Sequence, residues 1–185
     1  LIVPERISRF LSYLLRHCPK EYPLAFDAQG FVAWPEVVQR VQERFPEATE
    51  DEIRAVVTDS DKKRFELRDN RVRATYGHSF PVNLGLEPVE PPNRLFYGTA
   101  RDLAQSIMRD GLRPRDRQYV HLSASVEEAQ AVGKRRDPFP AVVVVNAKRA
   151  QADGVRFFAS GPLFLVDGVP ARFLSLWRKA DCSLS

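Results

Sequence analysis

Apolar side chains at Ile7, Phe10, Leu11, Leu14 and Leu15 recur at helical spacing and predict a helix over residues 4–17. Pro4 suits its first turn and Pro19 ends it. At about 100° per residue, Arg16 falls opposite the apolar stripe and His17 near its border. Arg16 is therefore expected to be presented to solvent, not buried. A second helix is predicted from Pro35 to Phe45, with Val37, Val38, Val41 and Phe45 inward. A third opens at Thr49, where Thr49 and Glu52 form a capping-box pattern ahead of Ile53, Val56 and Val57. Phe65 and Leu67 then alternate with polar residues, Arg68-Asp69-Asn70 supplies turn chemistry, and Val72, Ala74 and Tyr76 alternate again. Three helices followed by a two-stranded ribbon is the order of a winged-helix module.

Between residues 81 and 93 the periodicity fades and Pro81, Pro88, Pro91 and Pro92 cluster, which marks a linker. The expected division is 1–80, a linker over 81–93, and a second domain over 94–180. In that second domain strands and helices intermix. Leu95-Phe96-Tyr97 reads as a strand, 100–110 as a helix stopped by Gly111, and Tyr119 to Leu122 as another strand. Ser125 and Glu128 repeat the capping-box pattern ahead of Ala129 and Val132. Val142 to Val145 is apolar throughout, as in a strand covered on both faces. Further strands are expected near 155–158 and 163–166, with a last apolar segment from Ala171 to Trp177. The fold class is α+β.

A chain of 185 residues is long enough for one large domain or two small ones. Its net charge of +4 and pI near 9.3 suit a polyanionic partner, although only weakly. Cys18 and Cys182 lie at opposite ends without metal-ligand spacing, so neither a disulfide framework nor a metal site is expected, and a reducing cytoplasm fits. No stretch approaches the ~20 apolar residues of a membrane span.

The chemistry concentrates around the three histidines. His17 follows Arg16, His78 lies in Gly77-His78-Ser79, and His121 lies in Arg117-Gln118-Tyr119-Val120-His121-Leu122-Ser123. Arginine matches phosphate oxygens in geometry and charge, and histidine adds a donor that can move a proton. Taken singly, each motif has a plain structural reading. Arg16-His17 suits a helix C-terminus, and Lys62-Lys63-Arg64 suits a solvated turn. Arg71 and Arg73 share one face of the ribbon, while Gly77-His78-Ser79 offers either a turn or donors to a phosphate. Tyr97-Gly98-Thr99 ends a strand just before a helix, where Gly98 allows a close backbone approach to a ligand and Thr99 can cap the helix or bind a ligand oxygen. Tyr119 and His121 share the face opposite Val120 and Leu122.

Together these motifs resemble the RNA 2′-phosphotransferases of the KptA family. The resemblance rests on Leu14-Leu15-Arg16-His17, Lys63-Arg64-Phe65, Arg73-Ala74 with Gly77-His78-Ser79, Tyr97-Gly98-Thr99, and the segment from Arg117 to Ser123. Phe164 to Pro170 looks like that family's late strand and turn, so the resemblance spans nearly the whole chain. It implies an N-terminal winged-helix domain and a C-terminal domain resembling ADP-ribosyltransferases. It also implies transfer of an internal RNA 2′-phosphate, tRNA-like in context, to NAD as co-substrate. The phosphate attacks the nicotinamide-ribose anomeric carbon. The ribose 2″-hydroxyl then attacks phosphorus, releasing RNA with a free 2′-hydroxyl and ADP-ribose 1″,2″-cyclic phosphate. The family's Arg-His-Arg-Arg set carries over onto Arg16, His17, Arg64 and Arg117. Tyr97, Gly98, Thr99, His121, Leu122 and Ser123 become the candidate NAD contacts. Lys63, Arg73, Gly77, His78 and Ser79 become the candidate RNA-side contacts, with Lys62 beside them. Tyr97 departs from the histidine that ADP-ribosyltransferase-like domains often carry there. A cytoplasmic monomer without metal or membrane attachment is expected. Two other readings stay open: an ADP-ribosyltransferase acting on protein or nucleic-acid ends, and a non-enzymatic winged-helix nucleic-acid binder.

Overall fold

Helix α1, Pro4–His17, buries Ile7, Leu11, Leu14 and Leu15 along one stripe, and each large side chain removed from water contributes roughly 1.5–3 kcal/mol. The computed structural model describes residues 4–59 and 63–178, so Lys62 and Cys182 lie outside the described residues. Contacts group the chain into two units, Leu1–Leu86 with Asp116–Gln118, and Glu87–Arg115 with Tyr119–Ser185.

In the first unit, α2 (Trp34–Arg44) and α3 (Glu50–Thr58) pack with α1 around one core that includes Val37, Val41, Ile53 and Phe65. The Thr49–Glu52 capping box forms in full. Trp34 is buried, and its indole nitrogen donates to Glu50 Oε1 at 2.6 Å. Strands β1 (Val32–Ala33), β2 (Phe65–Arg68) and β3 (Arg71–Ala74) form an antiparallel sheet in the order β1-β3-β2. Asp69 and Asn70 both adopt positive φ, at 49° and 57°. That pair gives a two-residue hairpin the twist its strands need. β1 is the element the sequence pattern did not announce, because two residues carry no period.

All strand pairs of the second unit are antiparallel too. One sheet has the order β10-β7-β5 (Leu174–Leu176, Ala141–Asn146, Arg94–Thr99). The other has the order β4-β8-β9-β6 (Pro88–Val89, Phe157–Ser160, Leu163–Val166, Val120–Leu122). The predicted linker thus contributes a short strand, β4, paired with β8. Three helices accompany the sheets: α4 (Arg101–Asp110), α5 (Val126–Gly133) and α6 (Ala147–Ala152). Val142–Val145 are all buried, as a strand covered on both faces requires. On one face Leu95, Val143, Val145, Leu122 and Phe157 join a single core, and on the other α5 packs against β5 and β7. A lone bridge, Phe96 to Ser123, joins β5 to β6. The chain is a mixed α/β protein of helices and antiparallel sheets. Among the described residues no helix is long and apolar enough to cross a membrane.

Candidate active site

The end of α1 and the segment 76–79 are stitched together by backbone polarity. Arg16 O, left without a helical partner at the C-terminus, accepts from Ser79 N at 2.9 Å and from Ser79 Oγ at 3.2 Å. His17 Nδ1 lies 2.9 Å from the same Ser79 Oγ. The hydroxyl's single proton is spent on Arg16 O, so this network assigns the Nδ1 proton to His17 and leaves Nε2 for chemistry. Residues 116–118 are pinned beside them. Gln118 N donates to His78 O at 2.9 Å, and the Gln118 side chain both donates to Val82 O (2.8 Å) and accepts from Val82 N (3.2 Å). Arg117 Nη1 then reaches Gly77 O at 2.5 Å.

Gly77 is what lets two guanidinium groups meet. Its φ is +89°, and a Cβ there would sit 2.5 Å from Arg117 Nη1 and 3.2 Å from Arg16 Cδ. Any side chain there would be strained by the left-handed backbone and would push the two arginines aside. The Arg16 guanidinium lies over the Tyr76 ring, 4.7 Å from its centroid. Contrary to the expectation from periodicity, Arg16 is half-buried, and its Nε and Nη2 meet neither solvent nor a hydrogen-bond partner. The helical face was read correctly as polar, but the 76–79 segment folds over it. Arg64, at the foot of β2, donates through Nη1 to Ser8 Oγ at 3.3 Å, while its carbonyl accepts from Thr75 N. Lys63 beside it is exposed, with φ +43°, and its carbonyl accepts from Thr75 Oγ at 2.7 Å.

The electrostatics are one-sided. Burial lowers the Arg16 pKa, Tyr76 offsets part of this, and Arg117 and Arg64 push it down further. Burial likewise lowers the His17 pKa, with Arg117 and Arg16 adding to the effect. His78 is 2% exposed, and neither ring nitrogen has a hydrogen-bond partner. Burial first, then Arg16, Arg73, His17 and Arg117, depress its pKa to about 4, so it is neutral at pH 7. Among the described residues neither Arg16 nor Arg64 is ion-paired with a carboxylate. Cations held close repel one another, and an anion relieves that repulsion.

Other predicted residues are placed differently. Arg73 is committed elsewhere: its Nε and Nη2 both reach Glu66 Oε2 at 2.7 Å, Nη1 donates to Gln29 O, and the group stacks on Phe31. In the second unit, Gly98 has no room for a side chain, because a Cβ would lie 1.7 Å from Ala129 O. The close approach expected there is made by helix α5. Thr99 is buried and does not cap α4; Ala100 holds the N-cap position, and Asp137 Oδ2 accepts from Arg101 N at 2.9 Å. Leu122 is a fully buried core residue, and Ser123 is buried with its backbone paired to Phe96. Tyr97 packs partly against the same core, and His121 is half-buried on the opposite face of its strand from Leu122. Sequence reasoning had not singled out Tyr76 or Ser8, or seen that the Gln118 side chain ties its segment down. Tyr76 was visible as the aromatic just before Gly77; nothing local marked Ser8.

A cluster of arginines and histidines, in which Arg16 and Arg64 have no carboxylate ion pair among the described residues, suits an anion-handling protein. The comparisons with known proteins narrow the class. The family described as RNA 2′-phosphotransferase, Tpt1 / KptA family, matches residues 4–165. Similar proteins named probable RNA 2′-phosphotransferase include one from Agrobacterium fabrum, 45% identical over 95% of this chain and 95% of its own. Another from Acaryochloris marina is 44% identical over 90% and 93%, and one from Acetivibrio thermocellus is 40% identical over 94% and 97%. The chain belongs to the RNA 2′-phosphotransferase family.

Proposed function

We propose that this chain is an NAD-dependent enzyme that removes an internal 2′-phosphate from RNA, of the kind a tRNA ligation leaves, and passes it to NAD. The observation that carries the reading is the convergence of Arg16, His17, Arg64 and Arg117 with buried, unspent N–H groups on Arg16. A 2′-phosphate monoester brings about −1.5 to −2 charges at pH 7, which answers that cluster. In this reading the first unit is a winged-helix domain and the second an ADP-ribosyltransferase-like domain. We assign NAD to the second unit, to the split between β5 and β6 that the isolated Phe96–Ser123 bridge spans, with Tyr97 and His121 as its side-chain contacts. Gly98, Thr99, Leu122 and Ser123 shape that split through backbone and packing. NAD supplies an electrophilic anomeric carbon with nicotinamide as leaving group.

The chain's own residues then have definite tasks. The phosphate is ionised already, so no base is needed to make a nucleophile; positioning is. Arg16, Arg64 and Arg117 hold its oxygens in place, and Gly77 and Ser79 keep those side chains together. As charge shifts around phosphorus in the second step, an arginine clamp is worth roughly 10³–10⁵ in rate. His17 Nε2, bare while Nδ1 carries the ring proton, accepts the proton of the attacking ribose 2″-hydroxyl and passes it to the departing RNA 2′-oxygen. We read the protein as a cytoplasmic monomer. Lys63 faces the RNA, and Arg73 acts by holding the ribbon through Glu66.

The direct test mixes protein, NAD and a 2′-phosphorylated oligoribonucleotide and weighs the products. ADP-ribose 1″,2″-cyclic phosphate and dephosphorylated RNA are expected. ADP-ribose left on protein or on the RNA end, with no cyclic phosphate, would replace this reading with that of an ADP-ribosyltransferase. His17→Ala should release nicotinamide and accumulate RNA bearing ADP-ribose on the 2′-phosphate. A variant that stalls before nicotinamide release would remove His17 from the second step.

A further inference from the structure

Phe139 is the most exposed large hydrophobic side chain among the described residues, at 71%. It is not a loose loop residue. Its N–H donates to Asp137 Oδ1 at 2.9 Å, and its carbonyl accepts from both Nε and Nη2 of Arg101 at 3.2 Å. Asp137 Oδ2 meanwhile takes the Arg101 N–H, so the same carboxylate starts α4 and fixes the loop. At the next residue, Pro140, Gly133 approaches so closely that a Cβ would lie 2.5 Å from the proline Cβ. Four hydrogen bonds and a glycine contact thus hold an aromatic ring out in water. Such exposure has no value for folding.

The surroundings say what the ring faces. Lys134 and Arg135 precede it and are exposed, and among the described residues neither has a carboxylate partner. Arg101 lies 5.6 Å from the ring centroid. Arg136 and Asp102 line the adjoining recess with Arg101, Gln105 and Pro138. Of the two carboxylates, Asp137 is spent on backbone N–H groups, which hold its pKa below the usual range. Four cations, Arg101, Lys134, Arg135 and Arg136, outnumber the two carboxylates, so the local field is positive. The apolar area on offer, one ring with Val132 nearby at 41% exposure, falls far short of the ~800 Å² per partner of a stable protein interface. It matches a single nucleobase, whose π-face stacks on an aromatic side chain while adjacent cations track the phosphates.

We propose that Phe139, with Lys134 and Arg135, is a base-stacking platform for single-stranded RNA on the second unit, separate from the residues that hold the 2′-phosphate. RNA is chosen over other polyanions because of the family's substrate class. The platform thus rests on the reading above for its ligand but not for its chemistry. Its test therefore reads binding without NAD and without a 2′-phosphate. Anisotropy of a labelled, unstructured RNA of about 12 nucleotides would be followed for the wild type and for Phe139→Ala, Phe139→Trp and a Lys134→Gln/Arg135→Gln pair. Phe139→Ala should bind at least about fivefold more weakly, the low end of one base–aromatic stack, and Phe139→Trp should keep wild-type affinity. The double charge variant should lower the log–log salt slope by about 1.4, at about 0.7 per cation. Thermal melting checks that all variants are folded, and the Asp137 cap is untouched in each. Equal RNA affinity for wild type and Phe139→Ala overturns the platform. So does a loss confined to self-association, which would make Phe139 a contact between copies. Either result leaves the transfer assay standing, and failure of that assay leaves the binding result standing.

Discussion

Two glycines separate the two units of this protein more clearly than any helix or strand does. At Gly77, in the first unit, the missing side chain makes way for the guanidinium groups of Arg117 and Arg16. At Gly98, in the second, it makes way for the carbonyl of Ala129. Both sit in short polar motifs of similar appearance, yet one serves a charge cluster and the other serves helix–sheet packing. The difference lies in what remains unspent. Around Gly77, Arg16 keeps buried N–H groups without partners and His78 keeps two such nitrogens. Around Gly98, Thr99, Leu122 and Ser123 are absorbed into the sheet and core. A motif is chemical where its polar groups cannot be satisfied by the fold.

The comparison breaks first at Arg16. Removing one arginine from a clamp on a transferring phosphate should cost at least about 10³ in rate. Arg16→Met should therefore lower turnover by that factor while holding or raising the melting temperature, because a poorly solvated charge leaves a repelling cluster. A melting temperature that falls by several degrees alongside activity would make Arg16 a structural residue and move the first unit's site into the same category as Gly98.

Next comes Gly98 itself. An added methyl 1.7 Å from a backbone carbonyl oxygen forces α5 away from β5. Gly98→Ala should cost about 3 kcal/mol or more, and so lower the melting temperature by roughly 6–12 °C. Gly77→Ala should reverse the balance, with a strain of about 1–2 kcal/mol from its left-handed backbone but a far larger loss of activity. Thermal melting and turnover measured on both variants decide it. Equal ratios of stability loss to activity loss would erase the distinction.

Much of this frame was legible beforehand, and the gaps have physical causes. Amphipathic spacing located α1 from Pro4 to His17, and Thr49–Glu52 and Ser125–Glu128 marked the starts of α3 and α5. Residues β1 and β4 use, two apiece, are too few to show a period. Helix α6 follows β7 directly, with Asn146 as its cap, and the apolar run before it masked the change. In the site, the polar face of α1 was readable, but the burial of Arg16 was not. That burial depends on Ser79 and Gln118 fastening segments distant in sequence, which no local pattern records. Gly98 failed for the opposite reason. Closeness of backbones was expected there, and only packing reveals whether the neighbour is a ligand or a helix.

The smallest expected effect concerns His78, the buried neutral member of the cluster. Its pKa falls from 6.5 to about 4 on folding, mainly because burial disfavours the charged ring. Between those values the unfolded chain holds a proton that the folded chain does not, so stability rises with pH across that window. The contribution is fully present above pH 6.5 and is lost progressively toward pH 4, up to about 3 kcal/mol at 1.36 kcal/mol per unit. The carboxylates held low by hydrogen bonds, Glu50 and Asp137 among them, lose their contribution only as pH falls below their ordinary values of 4.5 and 3.8, so pH 5–7 isolates the histidines. His17, also shifted down, acts in the same direction, and comparing the wild type with His78→Phe removes it from the difference. The wild-type urea midpoint should fall relative to that of His78→Phe as pH drops from 7 to 5 if His78 is held neutral. Parallel midpoints across that range would mean that His78 gains a proton in the folded state as readily as in the unfolded, and the cluster around Gly77 would then tolerate one more cation than its geometry allows.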